Sequence, residues 1–154
     1  MKKILKIIAV VFIVVFIALQ FVRPDRTTPP IIAAETIEAT TQIPENVALI
    51  LTRSCNDCHT NQTVYPWYSN ISPFSWLLAG HIEEGRGKLN FSIWNTYQAT
   101  KKRRKLSQIC EQVMNGEMPH NQYLWLHRDA LLSAEDKKLL CDWADAEKAK
   151  TAEL

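Results

Sequence analysis

The 154-residue chain contains no run of alternating apolar and polar residues that would mark a β-strand. That absence leaves an all-α class. No internal repeat is present. Charge of one sign is also missing: 18 Lys and Arg face 16 Asp and Glu, a formal net charge of +2. So small an excess gives no reason to expect nucleic acid as a partner. No cysteine follows the N-terminal apolar run closely, which argues against a lipoprotein. That run also lacks a small-x-small cleavage site. The length bounds the rest, allowing one small domain and an appendage.

The appendage is N-terminal. Lys2 and Lys3 precede a stretch from Ile4 to Val22 that is apolar except for Lys6 and Gln20. As a helix it spans roughly 28 Å, close to a bilayer core. A signal peptide has an apolar core of about 7–15 residues. Residues 1–22 therefore read as an uncleaved signal anchor, a transmembrane helix with Lys2, Lys3 and Lys6 on the cytoplasmic side. Arg23 and Arg26 weaken that asymmetry, and a cleaved signal peptide is the alternative. The expected location is the bacterial inner membrane, crossed once, with the domain in the periplasm. Residues 23–43 carry Pro24, Pro29, Pro30 and several Thr and read as an extended linker. The domain is expected over residues 44–150.

Within it, Val47, Ile50, Leu51 and Ser54 recur at helical spacing, so a short helix should lead into Cys55. Thr60 to Ser69 looks like a loop rich in aromatics. A second helix should begin near Ser72 as cap with Pro73 in its first turn, ending around Gly85 or Gly87. A third helical region should begin near Ser92 and end at Asn115 and Gly116. A last helix should start at Ser133, with Asp136 completing a capping box.

The densest chemistry is Cys55-x-x-Cys58-His59. Cys-x-x-Cys-His is the c-type haem attachment pattern. The two thiols become thioethers on the two vinyl groups, and the imidazole becomes the proximal iron ligand. On one helical turn the three side chains share a face. The expected cofactor is a single covalent haem c, attached through Cys55 and Cys58 and ligated by His59. Such attachment takes place outside the bacterial inner membrane, in agreement with an exported domain. The same residues could form a thiol redox pair or part of a zinc site, although adjacent Cys58 and His59 suit zinc less well. Without haem, a domain this small is expected to fold poorly.

The sixth iron position has several claimants. Met118 sits in a Gly116-x-Met118-Pro119 turn, a way of presenting a thioether from a loop opposite the proximal histidine. His81 is the main rival, on the helix expected to cover one haem face. His120 follows Pro119, and His127 reads as a surface residue. Cys110 and Cys141 remain and, in an oxidising compartment, read as a disulfide. The five consecutive cations from Lys101 to Lys105 read as a solvated helix face, or else as a docking patch for an acidic redox partner or anionic lipid. Five Trp are many for this size and are expected to pack around the haem.

Taken together these residues resemble a bacterial haem-binding domain family, membrane-anchored and exported, with a single Cys-x-x-Cys-His. The resemblance runs through the stretch from Gln20 to Pro30 and that from Cys55 to Ser69. It continues through Trp76, His81, Glu84, Gly85 and Arg86, Leu89 to Ser92, Trp94, and Gly116 to Pro119, and then Tyr123, Leu126, His127, Leu132 and Ser133. It implies a small cytochrome c-like helical domain with covalent haem on Cys55 and Cys58 and proximal ligation by His59. It leaves the distal ligand open. Domains of this kind look like companions of di-haem cytochrome c peroxidases, and such a peroxidase is one expected redox partner. Single-electron transfer is the leading reading. A small haem peroxidase, an accessory to one, and a haem-based sensor module are the alternatives.

Overall fold

The computed structural model describes residues 1–151. Among them every regular element is helical and no strand is present. The N-terminal helix α1 (Lys2–Leu19) buries none of its residues. Among the described residues no helix is long and apolar enough to cross a membrane. For α1 the reason is visible: Lys2, Lys3 and Lys6 put three charges among its 18 residues.

Residues 23–43, read from their Pro and Thr as an extended linker, make contacts with the domain. They run along the domain. Arg26 Nη1 donates to Asn70 Oδ1 at 3.0 Å, and Arg26 Nη2 donates to the Ser69 carbonyl. Two 3₁₀ turns follow, Ala33–Glu35 and Ile37–Ala39. Asn95 donates to the Ala34 carbonyl at 2.8 Å. Ile37 enters the core at 1% exposure. Burying one such side chain contributes about 1.5–3 kcal/mol, in addition to the hydrogen bonds made by Arg26 and Asn95. The folded unit therefore begins well before residue 44.

Helix α2 (Glu45–Ser54) buries Val47, Ile50, Leu51 and Ser54, the four residues at helical spacing. Cys55, at φ −128° and ψ −43°, interrupts the helix before a single turn, α3 (Asn56–His59). The next helix, α4 (Phe74–Lys88), begins later than its sequence suggests. Pro73 is its N-cap, and the Ser72 hydroxyl pairs with the Ser75 hydroxyl at 3.0 Å instead of capping the backbone. The third helical region is two elements. A 3₁₀ stretch (Phe91–Thr96) is capped by Asn90, and α5 (Ala99–Met114) starts only after an extended Tyr97–Gln98 step. A short α6 (Asn121–Leu124) precedes α7 (Ala134–Lys150), which opens on the expected capping box of Ser133 and Asp136.

The core lies between α2, α5, α7 and the 3₁₀ stretch, around Ile50, Leu106, Leu140, Trp94 and Trp143. Cys110 on α5 and Cys141 on α7 are disulfide-bonded, with Cα atoms 4.8 Å apart. The bond joins the two helices that back this core.

Candidate haem site

The α3 turn presents Cys55, Cys58 and His59 against the end of α4. The approach is close because position 85 is glycine. A Cβ there would stand 2.8 Å from the Cys58 carbonyl oxygen and 3.2 Å from its Cβ. Close approach lets His59 Nδ1 reach two backbone carbonyls at the end of α4, Leu89 at 2.9 Å and Gly85 at 3.1 Å. Both partners can only accept, so Nδ1 carries the proton and Nε2 keeps its lone pair. Burial lowers the His59 pKa below the ordinary histidine value. The two carbonyl bonds oppose that, and Lys105 adds to it. The imidazole is therefore neutral near pH 7, in the tautomer a metal ligand needs.

The loop after the turn is tied down. Arg86 donates to the Thr60 carbonyl and to the Thr63 hydroxyl, both at 2.8 Å. Asn61 N donates to Ser92 Oγ at 2.9 Å, and Asn90 donates to Asn61 Oδ1 at 2.9 Å. These bonds fix the proximal wall from behind.

His59 and Cys55 form part of the wall of a cleft of about 280 Å³. Leu51, Leu89, Phe91, Ile109, Val113, Leu132 and Leu140 supply its apolar surface, and Met118 lies on the same cleft. Cys58 is not part of that wall and packs on Gly85 instead. Burial pushes the Cys55 thiol up to about 12, helped by Cys58, and the Cys58 thiol up to about 11, helped by Asp57. Both are therefore thiols at neutral pH, unlike the low-pKa cysteines of thiol redox centres. Among the described residues no group of three or more His, Cys, Asp or Glu is placed to hold a metal ion, so the zinc alternative lacks its ligands.

Met118 reaches the cleft through the turn at the end of α5. Gly116 has φ +73°, a conformation glycine adopts without strain. The Glu117 and Met118 amides both donate to the Gln112 carbonyl, at 2.9 and 3.2 Å. His81 is not brought to the cleft. Its ring lies 4.9 Å from that of His120, and neither forms part of the wall. His127 is not a plain surface residue either. Its Nε2 is 2.8 Å from the Tyr68 hydroxyl, and its ring stacks on Tyr123 at 4.1 Å. Tyr123 in turn donates to Asp57 Oδ2 at 2.8 Å. A hydrogen-bonded and stacked chain thus links α6 and His127 to the Cys-x-x-Cys-His turn.

None of the five Trp lines the cleft, contrary to the expectation that they pack around the haem. Trp94 and Trp143 are in the core, and Trp67 and Trp125 are exposed. Phe91 is the aromatic of the wall, and it meets His59 edge-on with ring centroids 6.4 Å apart. The basic run lies on the first half of α5. Lys101 sits 3.7 Å above the Tyr97 ring, and Lys105 joins Lys88 on the cleft rim. Partial burial, then Arg104, Lys101 and Lys88, lower the Lys105 ammonium pKa. Among the described residues no carboxylate forms an ion pair with these cations.

An all-helical domain that offers a neutral, pre-oriented imidazole on an apolar cleft is built to hold a metal-centred prosthetic group. The chain belongs to the haem-binding domain family, whose sequence pattern matches residues 14–146. No curated protein matches it, and no solved structure does. The residues present fit a haem: the His59 Nε2 lone pair is unclaimed, and the wall around it is predominantly apolar.

Proposed function

We propose that this chain is a membrane-anchored mono-haem c-type cytochrome that transfers single electrons outside the bacterial inner membrane. One observation carries the reading. The His59 imidazole is held through Nδ1 by the Leu89 and Gly85 carbonyls, on a cleft that it shares with Cys55 and Met118. When bound, haem c supplies an iron that exchanges one electron between its ferric and ferrous states. The protein's part is binding, orientation and exclusion of water. Cys55 and Cys58 anchor the group covalently. His59 is the proximal ligand, oriented by the two carbonyls. Met118 would be the second residue to hold the iron, and its weakly donating thioether would favour the ferrous state more than a second histidine would. Leu51, Leu89, Phe91 and Ile109 keep the cleft apolar. The cations of α5 favour a redox partner with an acidic docking face, a di-haem cytochrome c peroxidase being one protein of the required kind. Helix α1 is the anchor.

The peroxidase alternative has less behind it. It needs a distal acid or base, and neither His81 nor His120 lines the cleft. No observation favours a sensor module.

Two measurements test the proposal. Expressed with c-type maturation machinery, the protein should give a c-type pyridine haemochrome that stays with the polypeptide through a denaturing gel. Haem that separates from the chain would refute covalent attachment. In the Met118→Ala protein the weak far-red band of ferric thioether ligation should vanish; an unchanged spectrum would remove Met118 as the ligand.

A further inference from the structure

The end of α1 is not a free exit from the domain. Gln20 and Ser72 are bonded reciprocally: the Ser72 amide donates to Gln20 Oε1 at 3.0 Å, and Gln20 Nε2 donates to the Ser72 carbonyl at 3.3 Å. Trp76 Nε1 donates to the Val22 carbonyl at 2.8 Å. Arg26 continues the clasp onto Ser69 and Asn70. The segment that receives these bonds, residues 67–77, therefore stays beside the point where α1 ends.

That segment is unusually apolar on its outer side. Trp67 is 72% exposed, Phe74 53% and Leu77 47%, and Phe21 at the end of α1 is 84% exposed. Phe74 and Leu77 are three residues apart on α4 and share one face. Arg23, exposed, follows Val22. Large exposed apolar side chains in one neighbourhood mark a surface that another phase covers. Trp with Arg at the end of an apolar helix is the composition of the bilayer interface.

The length of α1 argues for the same phase. Its 18 residues rise about 27 Å, against a hydrocarbon core of roughly 30 Å. Three of its first five residues are lysines (Lys2, Lys3 and Lys6), and the uninterrupted apolar stretch from Ile7 to Leu19 rises about 20 Å. Snorkelling lysines make up part of the shortfall at one end. At the other end something apolar must follow the helix into the membrane.

We infer that the face made by Phe21, Trp67, Phe74 and Leu77 is a membrane-interface surface, seated among lipid headgroups beside the end of α1. The domain then lies on the bilayer in one orientation. This rests on the reading of α1 as an anchor, so the experiment follows the helix and the face separately. Cys55 and Cys58 are occupied by haem and Cys110 by Cys141, so a single introduced cysteine takes a nitroxide label; the unsubstituted chain gives the labelling blank. The full-length holoprotein is reconstituted in vesicles of phosphatidylethanolamine and phosphatidylglycerol. Labels at Ile13→Cys, Phe74→Cys, Leu77→Cys and Arg104→Cys are compared for collision with oxygen, which concentrates in lipid, and with a water-soluble nickel chelate. All but Ile13 are surface positions of the folded domain, and an unchanged haem spectrum checks each variant.

The expected result is an oxygen-to-nickel accessibility ratio at positions 74 and 77 several-fold above that at 104 and approaching that at 13. A lipid-like ratio at 13 with a water-like ratio at 74 and 77 overturns the interfacial face and leaves the anchor standing. Labels at 74 and 77 shielded from both reagents also overturn it, in favour of a protein partner. A water-like ratio at 13 overturns the anchor and the face together.

Discussion

The two sides of the cleft are built differently. On the proximal side the α3 turn is pressed on α4 with no room for a Cβ at Gly85, and His59 is held by two backbone carbonyls. On the distal side Met118 rides on a turn secured by two amides sharing the Gln112 carbonyl, and the residue is 36% exposed. His59 is fixed by packing and Met118 by a loop. Packing resists change because close-packed atoms have nowhere to go. A loop can release its ligand at small cost.

The comparison can be broken most severely at the proximal ligand. In His59→Ala the covalently held haem should lose its low-spin spectrum; an unchanged spectrum would mean that His59 is not an iron ligand. Next in size is the disulfide that joins α5 and α7. The Cys110–Cys141 loop closes 31 residues, so the double Cys→Ser variant should lose about 3–4 kcal/mol in denaturant melts while its haem spectrum stays unaltered. Within α4 two glycines should behave oppositely. Gly85→Ala should cost about 1–3 kcal/mol because backbone blocks the new methyl. Gly87→Ala, with nothing within 4 Å, should gain about 0.5–1 kcal/mol from helix propensity. Equal effects at the two positions would deny the tight contact. A small effect is also expected at the link from α6 to the Cys-x-x-Cys-His turn. Tyr123→Phe removes the bond to Asp57 and should lower stability by about 1 kcal/mol, with the far-red thioether band fading at a lower temperature on heating. No change in that band would show that the Met118 loop stands alone.

Much of the proximal side was legible in the residues. Cys55, Cys58 and His59 announce themselves by spacing, Val47 to Ser54 by helical period, and Ser133 with Asp136 by capping chemistry. What held His59 was not legible, because the carbonyls of Leu89 and Gly85 are backbone acceptors that every residue carries. Asp57 and Tyr123 stand 66 positions apart, and neither belongs to a periodic pattern. Residues 23–43 were misread because Pro and Thr describe local stiffness, whereas one buried Ile37 decides whether the segment packs. The Trp were misread in a similar way: aromatic content tells how much apolar surface exists, and not which side of the core it faces.

The packing of residues 23–43 also changes the kinetics of encounter. A flexible chain of this length would span roughly 25 Å, letting its cargo sweep a wide volume and meet partners of many heights and angles. Folded against the domain through Arg26, Ala34 and Ile37, the segment has no slack to give. The effective concentration of a partner is then set by how that partner itself moves, so reach becomes a property of the pair.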